Sequence, residues 1–150
     1  MRSPANLWKT ISSDRTRPGG RKQGLSSQNS PVWCGFVASS RRRGLPGGQM
    51  GRGESPSAAA IREAAEDTGL EVHLGDLVAV YFLRSERLGL RFIFERTIVG
   101  GEPAVQPGGE IAEIGWFSPG DLPDPMTHTA PHGIRDAVAG SRGAFREIDA

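Results

Sequence analysis

The chain has 150 residues, 37% of them hydrophobic, with 21 Gly and 11 Pro: the length of one domain and the composition of a loop-rich one. No apolar run approaches the roughly 20 residues of a membrane helix, and the single Cys34 excludes an internal disulfide. The net charge of +1 conceals a split, since residues 1–44 carry nine Lys or Arg against Asp14 alone, whereas residues 45–150 carry 16 acids against nine Arg.

Residues 1–31 are basic and rich in Ser and Gly, without helical or strand periodicity, and are expected to be poorly structured. Within them "LWKTI" reaches at most a short strand or turn. The opening "MRSPANLWKTISSDR" lacks the apolar stretch of a secretory signal, so a cytoplasmic location is expected. From residue 32 to residue 150 the sequence reads as one folded domain. "VWCGFVA" is a buried strand, and "LPGGQMGRGE" is a Gly-rich loop. "SPSAAAIREAAEDTG" is a helix with both ends marked: Ser55 as N-cap, Pro56 in the first turn and Gly69 just past the end. "LEVHL" and "LVAVYFL" are strands around a Gly75-Asp76 turn. "LRFIFERTIV" alternates as a long strand, and "EIAEIGWF" is the last strand. "HGIRDAVAG" closes the chain as a short helix. Tyr81, Phe82, Phe92, Phe94 and Trp116 are expected in the core. This succession predicts a mixed α/β fold.

The helix holds the chemistry. At 100° per residue, Glu63, Glu66 and Asp67 share one side, while Ile61, Ala65, Ala58 and Thr68 gather on the other. The apolar side is expected to pack and the acids to point away. Like charges at i, i+3 and i+4 repel, and no Lys on this helix offsets them. Hard divalent ions such as Mg2+ take carboxylate oxygens and keep water positions open for phosphate.

The surrounding spacing is Gly48, five residues, Glu54, seven residues, then Arg62-Glu63-Ala64-Ala65-Glu66-Asp67-Thr68-Gly69-Leu70. It resembles the Nudix box, G-x5-E-x7-R-E-U-x-E-E-x-G-U, where U is bulky and aliphatic. Ala64 is smaller than the usual U, and Asp67 is one methylene shorter than the usual Glu. The "EIAEIGWFSPGDLP" segment is similar to the second half of many Nudix domains.

The resemblance implies a Nudix-like α/β/α sandwich around a mixed β-sheet, here with N-terminal strands missing or short. It implies a hydrolase that cleaves the pyrophosphate of a nucleoside diphosphate linked to another moiety, with Mg2+ or Mn2+ as cofactor. By position, Gly47 (through its carbonyl), Glu63, Glu66 and Asp67 are the expected metal ligands. Glu63 is the residue some members use as base. Arg62 and Glu54 form a supporting pair, and Glu110 or Glu113 supplies a further carboxylate. The expected partner is a small-molecule nucleotide, with no membrane; nucleic acid through "SRRRG" is disfavoured, and a homodimer is allowed. Asp67 and the unmatched N-terminal residues leave a second reading open, a catalytically silent module that binds a nucleotide or a protein.

Overall fold

The computed structural model describes residues 7–12, 34–38, 43–84, 89–109, 111–117 and 119–149. Seven strands and two helices follow in the order β1 (Leu7–Ser12), β2 (Cys34–Ala38), β3 (Arg43–Gly44), α1 (Pro56–Thr68), β4 (Leu70–Arg84), β5 (Gly89–Gly101), β6 (Glu113–Phe117), α2 (Thr129–Val138) and β7 (Ala144–Asp149). A mixed four-stranded sheet runs β1-β5-β4-β7, and an antiparallel three-stranded sheet runs β3-β2-β6. β1 lies parallel to β5, pairing Leu7 with Arg91 through to Ser12 with Arg96. The expected gap in the sheets is therefore filled, because β1 and β2 both come from the first 44 residues. Among the described residues no helix is long and apolar enough to cross a membrane.

The long β4-β5 hairpin organises the core. Alternation along β5 sends Ile93 to one face and Phe92, Phe94 and Ile98 to the other. Ile93 joins Tyr81, Leu45 and the α2 residues Ala130, Ile134 and Ala137. Phe94 and Phe92 pack under Ala59 and Ala60 of α1, and Ile98 and Trp116 pack beside Ala64. The helices thus cover opposite faces of the hairpin. Of the aromatics expected in the core, Tyr81 and Phe94 are buried, while Phe82, Phe92 and Trp116 are partly buried.

Three local readings change. Gly75-Asp76 is not a turn. β4 runs unbroken through it, and two residues, Gly75 and Asp76, oppose the single Glu95 between the pairs Leu74–Arg96 and Leu77–Phe94. That is a β-bulge, which the same Gly-containing signal marks. The C-terminal helix starts at Thr129, ahead of the expected stretch. A strand, β7, follows it and pairs in parallel with β4. β7 is tied down by Asp136, whose carboxylate accepts two hydrogen bonds from Arg146 at 2.6 and 2.8 Å and one from the Tyr81 hydroxyl at 2.5 Å. Burial raises the Asp136 pKa, but the bonds from Arg146 and Tyr81 outweigh it and hold the group below its ordinary value.

Candidate metal and phosphate site

The caps of α1 are those its sequence marks. Ser55 Oγ accepts from the Ala58 N–H at 3.1 Å, Pro56 opens the first turn, and Gly69 closes the helix in the left-handed conformation at φ 71°. This Gly is required, because a Cβ there would stand 2.8 Å from the Glu102 carbonyl oxygen. Residues beyond β5 fold back over the helix end, where the Ala104 N–H donates to the Thr68 carbonyl at 2.9 Å.

The helix is rotated from the expected orientation. Ala59, Ala60, Ala64 and Thr68 are the buried residues, while Ile61 is 45% exposed and Ala58 and Ala65 face solvent. On the helical wheel the buried arc runs from about 40° before Glu63 to about 140° beyond it. Glu63 and Asp67 lie inside this arc, not opposite it. Small alanines leave room on the inner face for carboxylates to meet the preceding loop.

That loop is shaped to receive them. A Cβ on Gly48 would stand 2.3 Å from the Glu63 carboxyl carbon, so the glycine makes the space that this acid occupies. The Gly47 N–H donates to Asp67 Oδ2 at 3.0 Å. Arg62 gathers the other acids: Nε and Nη2 donate to the two Glu54 oxygens at 2.9 Å each, and Nη1 donates to both Glu63 Oε1 and Glu66 Oε2 at 2.9 Å. Nη2 also donates to the Gln49 carbonyl at 3.1 Å, fixing the loop to the helix. The bidentate bond from Arg62, helped by the Gly51 N–H, holds the Glu54 carboxyl down at about pH 2. In return Glu54, and then Glu63 and Glu66, raise the Arg62 pKa.

Asp67 behaves differently. Burial pushes its pKa up to about 6, against the pull of the Gly47 N–H, and the charges of Glu63 and Glu66 push the same way. Arg96 attracts it from the sheet below. Sequence reasoning missed Arg96, although a signal was present: it occupies an inward position in the alternation of Phe92, Phe94 and Ile98. It is 1% exposed, and burial draws its pKa down to about 10, with Asp67 opposing.

The structure thus brings together Gly47, Glu54, Arg62, Glu63, Glu66 and Asp67. Glu113 lies exposed at the start of β6 outside this network, and Glu110 falls outside the described residues. Among the described residues no three His, Cys, Asp or Glu side chains already converge on one point, because Arg62 draws in Glu63 and Glu66 while the Gly47 N–H draws in Asp67. The donor set nonetheless fits a hard divalent ion. It consists of oxygens, two of its carboxylates reach the same nitrogen, and a glycine leaves the space in which one of them sits.

A cleft of about 430 Å3 is lined by Leu122, Asp124, Met126, Thr127, His128 and Pro131 among others. Its rim is stitched to β3: the Arg43 N–H donates to the Pro125 carbonyl at 3.2 Å, and the Thr127 N–H donates to the Arg43 carbonyl at 2.8 Å. Gly47 lies four residues beyond Arg43 along the chain.

Known proteins are similar to this chain. A family model described as NUDIX domain matches residues 25–137. A Bacillus subtilis (strain 168) protein provisionally named an 8-oxo-dGTP diphosphatase is 37% identical over 98 residues, covering 65% of this chain and 64% of that protein. A "MutT-like protein" of Streptomyces ambofaciens is 27% identical over 105 residues, covering 70% and 66%. The match therefore spans just under two thirds of each of these relatives. Among solved structures, a NUDIX hydrolase from Nitrosomonas europaea superposes with a TM-score of 0.73 at 20% identity, over 94% of this chain and 93% of that one. The chain belongs to the NUDIX family.

Proposed function

We propose that the protein hydrolyses the pyrophosphate bond of a nucleoside diphosphate linked to another moiety, or of a nucleoside triphosphate, with Mg2+ or Mn2+ held at the α1 acids. The observation that carries this reading is the charge count where the loop before α1 meets the helix and the sheet beneath it. Four carboxylates, those of Glu54, Glu63, Glu66 and Asp67, meet two guanidiniums, those of Arg62 and Arg96, and two negative charges stay uncompensated. One divalent cation balances them.

Glu63, Glu66, Asp67 and the Gly47 carbonyl are the residues that would hold the ion. Such an ion, when bound, polarises a phosphoryl oxygen and lowers the pKa of a coordinated water. Arg62 fixes the acids by charge-assisted hydrogen bonds, so little reorganisation is needed when substrate arrives. Gly48 keeps the loop open where Glu63 stands. Glu63, with only 16% of its side chain exposed, is the best placed of the acids to take the proton of an attacking water. The cleft beyond β3 lies in the size range of small-molecule sites and offers Asp124, Thr127 and His128 to the nucleoside half. The name of the Bacillus relative makes an oxidised purine triphosphate one candidate substrate.

The test is turnover of ADP-ribose, NADH, diadenosine polyphosphates and nucleoside triphosphates, 8-oxo-dGTP among them, with and without Mg2+ or Mn2+. Metal-dependent release of a nucleoside phosphate is expected with at least one. Glu66→Gln, on a side chain 60% exposed and therefore harmless to folding, should cut that turnover about 100-fold. Absence of metal-dependent turnover on every substrate would instead favour the silent binding module.

A further inference from the structure

Among the described residues, Arg96 is a buried charge facing α1 for which no hydrogen bond is seen at Nε or Nη1. It sits in the central strand β5, paired with Leu74 beside the bulge, on the face that α1 covers. Among the described residues its Nε and Nη1 are the buried side-chain nitrogen or oxygen atoms without a hydrogen-bond partner. A buried guanidinium with unmet donors burdens folding, and an apolar side chain in its place would remove those unmet donors. The strand alternation would accept such a side chain, since Phe94 and Ile98 flank it on the same face. The charge therefore needs a reason other than stability.

Asp67 supplies one. Of the acids in the cluster it alone has no bond to Arg62, and it lies in the middle of the inward arc of α1. Arg96 attracts it without forming a direct ion pair, while the Gly47 N–H holds Oδ2. Asp67 is also an acid with a short arm. With no guanidinium at its side, its carboxylate is held in place by a loop N–H above and by a fixed positive charge beneath.

We infer that Arg96 is a positioning residue for Asp67: its buried charge draws the short carboxylate inward to the Gly47 turn, where the divalent ion of the proposed reaction needs it. The inference rests on that functional reading, and its test separates the two. Mn2+ binding is measured on the full chain by electron paramagnetic resonance of the free ion, with urea unfolding of each protein alongside. Arg96→Met should weaken Mn2+ binding about tenfold in a protein that still unfolds cooperatively in urea. Arg96→Lys keeps the charge and should stay within about threefold of the unaltered affinity. A folded Arg96→Met that binds Mn2+ as tightly as the unaltered protein, or more tightly because a repelling cation has gone, overturns the inference. Failure of Arg96→Lys to retain affinity overturns it too, since the role assigned is one of charge. If Arg96→Met does not fold, Arg96→Gln carries the same comparison. Absence of Mn2+ binding to the unaltered protein would sink the metal reading itself; binding that ignores position 96 would sink only the role of Arg96.

Discussion

Gly48→Ala gives the sharpest test of how the loop and helix are fitted. The added Cβ would lie 2.3 Å from the Glu63 carboxyl carbon, where ordinary contact begins at 3.4 Å. The carboxylate must retreat by about 1 Å, and a misplacement of that size costs roughly 100-fold in rate when the displaced group acts on the reacting atoms. Folding should barely register the change. Gly48 is not among the residues with positive φ, so Ala fits its backbone, and the reduced freedom of the unfolded chain favours the variant by about 0.4–1 kcal/mol. Loosening the partly exposed Glu63–Arg62 pair costs a similar amount, about 0.2–1 kcal/mol. The two nearly cancel. The assay is steady-state turnover of the best substrate under saturating Mn2+, with a urea melt on the same preparation. A loss of about 100-fold with a midpoint hardly moved is expected. Turnover within threefold of the unaltered protein would show that the position of Glu63 does not matter, and would refute the account of the Gly48 space.

Two further outcomes follow from the same geometry. Burial raises the Asp67 pKa from 3.8 to about 6, so the native state binds this proton more tightly than the unfolded chain does. In metal-free buffer the stability that this proton contributes is fully present below about pH 4 and is lost as pH rises through 6. Asp67→Asn removes the titration: thermal melts should show this variant gaining on the unaltered protein from pH 4 to pH 8, and a pH-independent difference would refute the assignment. On the opposite face, Tyr81→Phe deletes the hydroxyl bond to Asp136 while leaving the two from Arg146. It should lower stability by about 1–2 kcal/mol in urea with an unchanged slope and unchanged turnover, and a drop in turnover would show that the α2 network reaches the site.

The parts legible in the sequence were those governed by local chemistry. Ser55, Pro56 and Gly69 bound α1 as expected because capping depends on residues within one turn. The alternation of β5 needed no distant partner to be read. Gly75-Asp76 gave the right signal for an interruption but could not say whether the chain reverses or merely bulges, which depends on the partner strand. β7 escaped because "AFREID" is short and largely polar, and what holds it is β4, some sixty residues away. The orientation of α1 misled for a more instructive reason. Periodicity was anchored on Ile61, the largest apolar side chain of the helix, yet Ile61 is 45% exposed. Three alanines bury instead, and their smallness is what a scale of hydrophobicity undervalues.

That smallness is the link between fold and site. Small side chains at the contact let a helix stand close to the sheet it packs on. With Ala59, Ala60 and Ala64 at the contact, packing and chemistry occupy the same face, and Glu63 and Asp67 reach the Gly47-Gly48 turn from within. The arrangement exchanges apolar burial for charge in a partly desolvated place: Asp67 bears a raised pKa there, and Arg96 bears unmet donors. A ligand that binds only the native state and supplies two positive charges recovers part of this loss, by an amount set by its concentration relative to its dissociation constant. Binding of the proposed divalent ion would therefore be coupled to folding stability through one helix face.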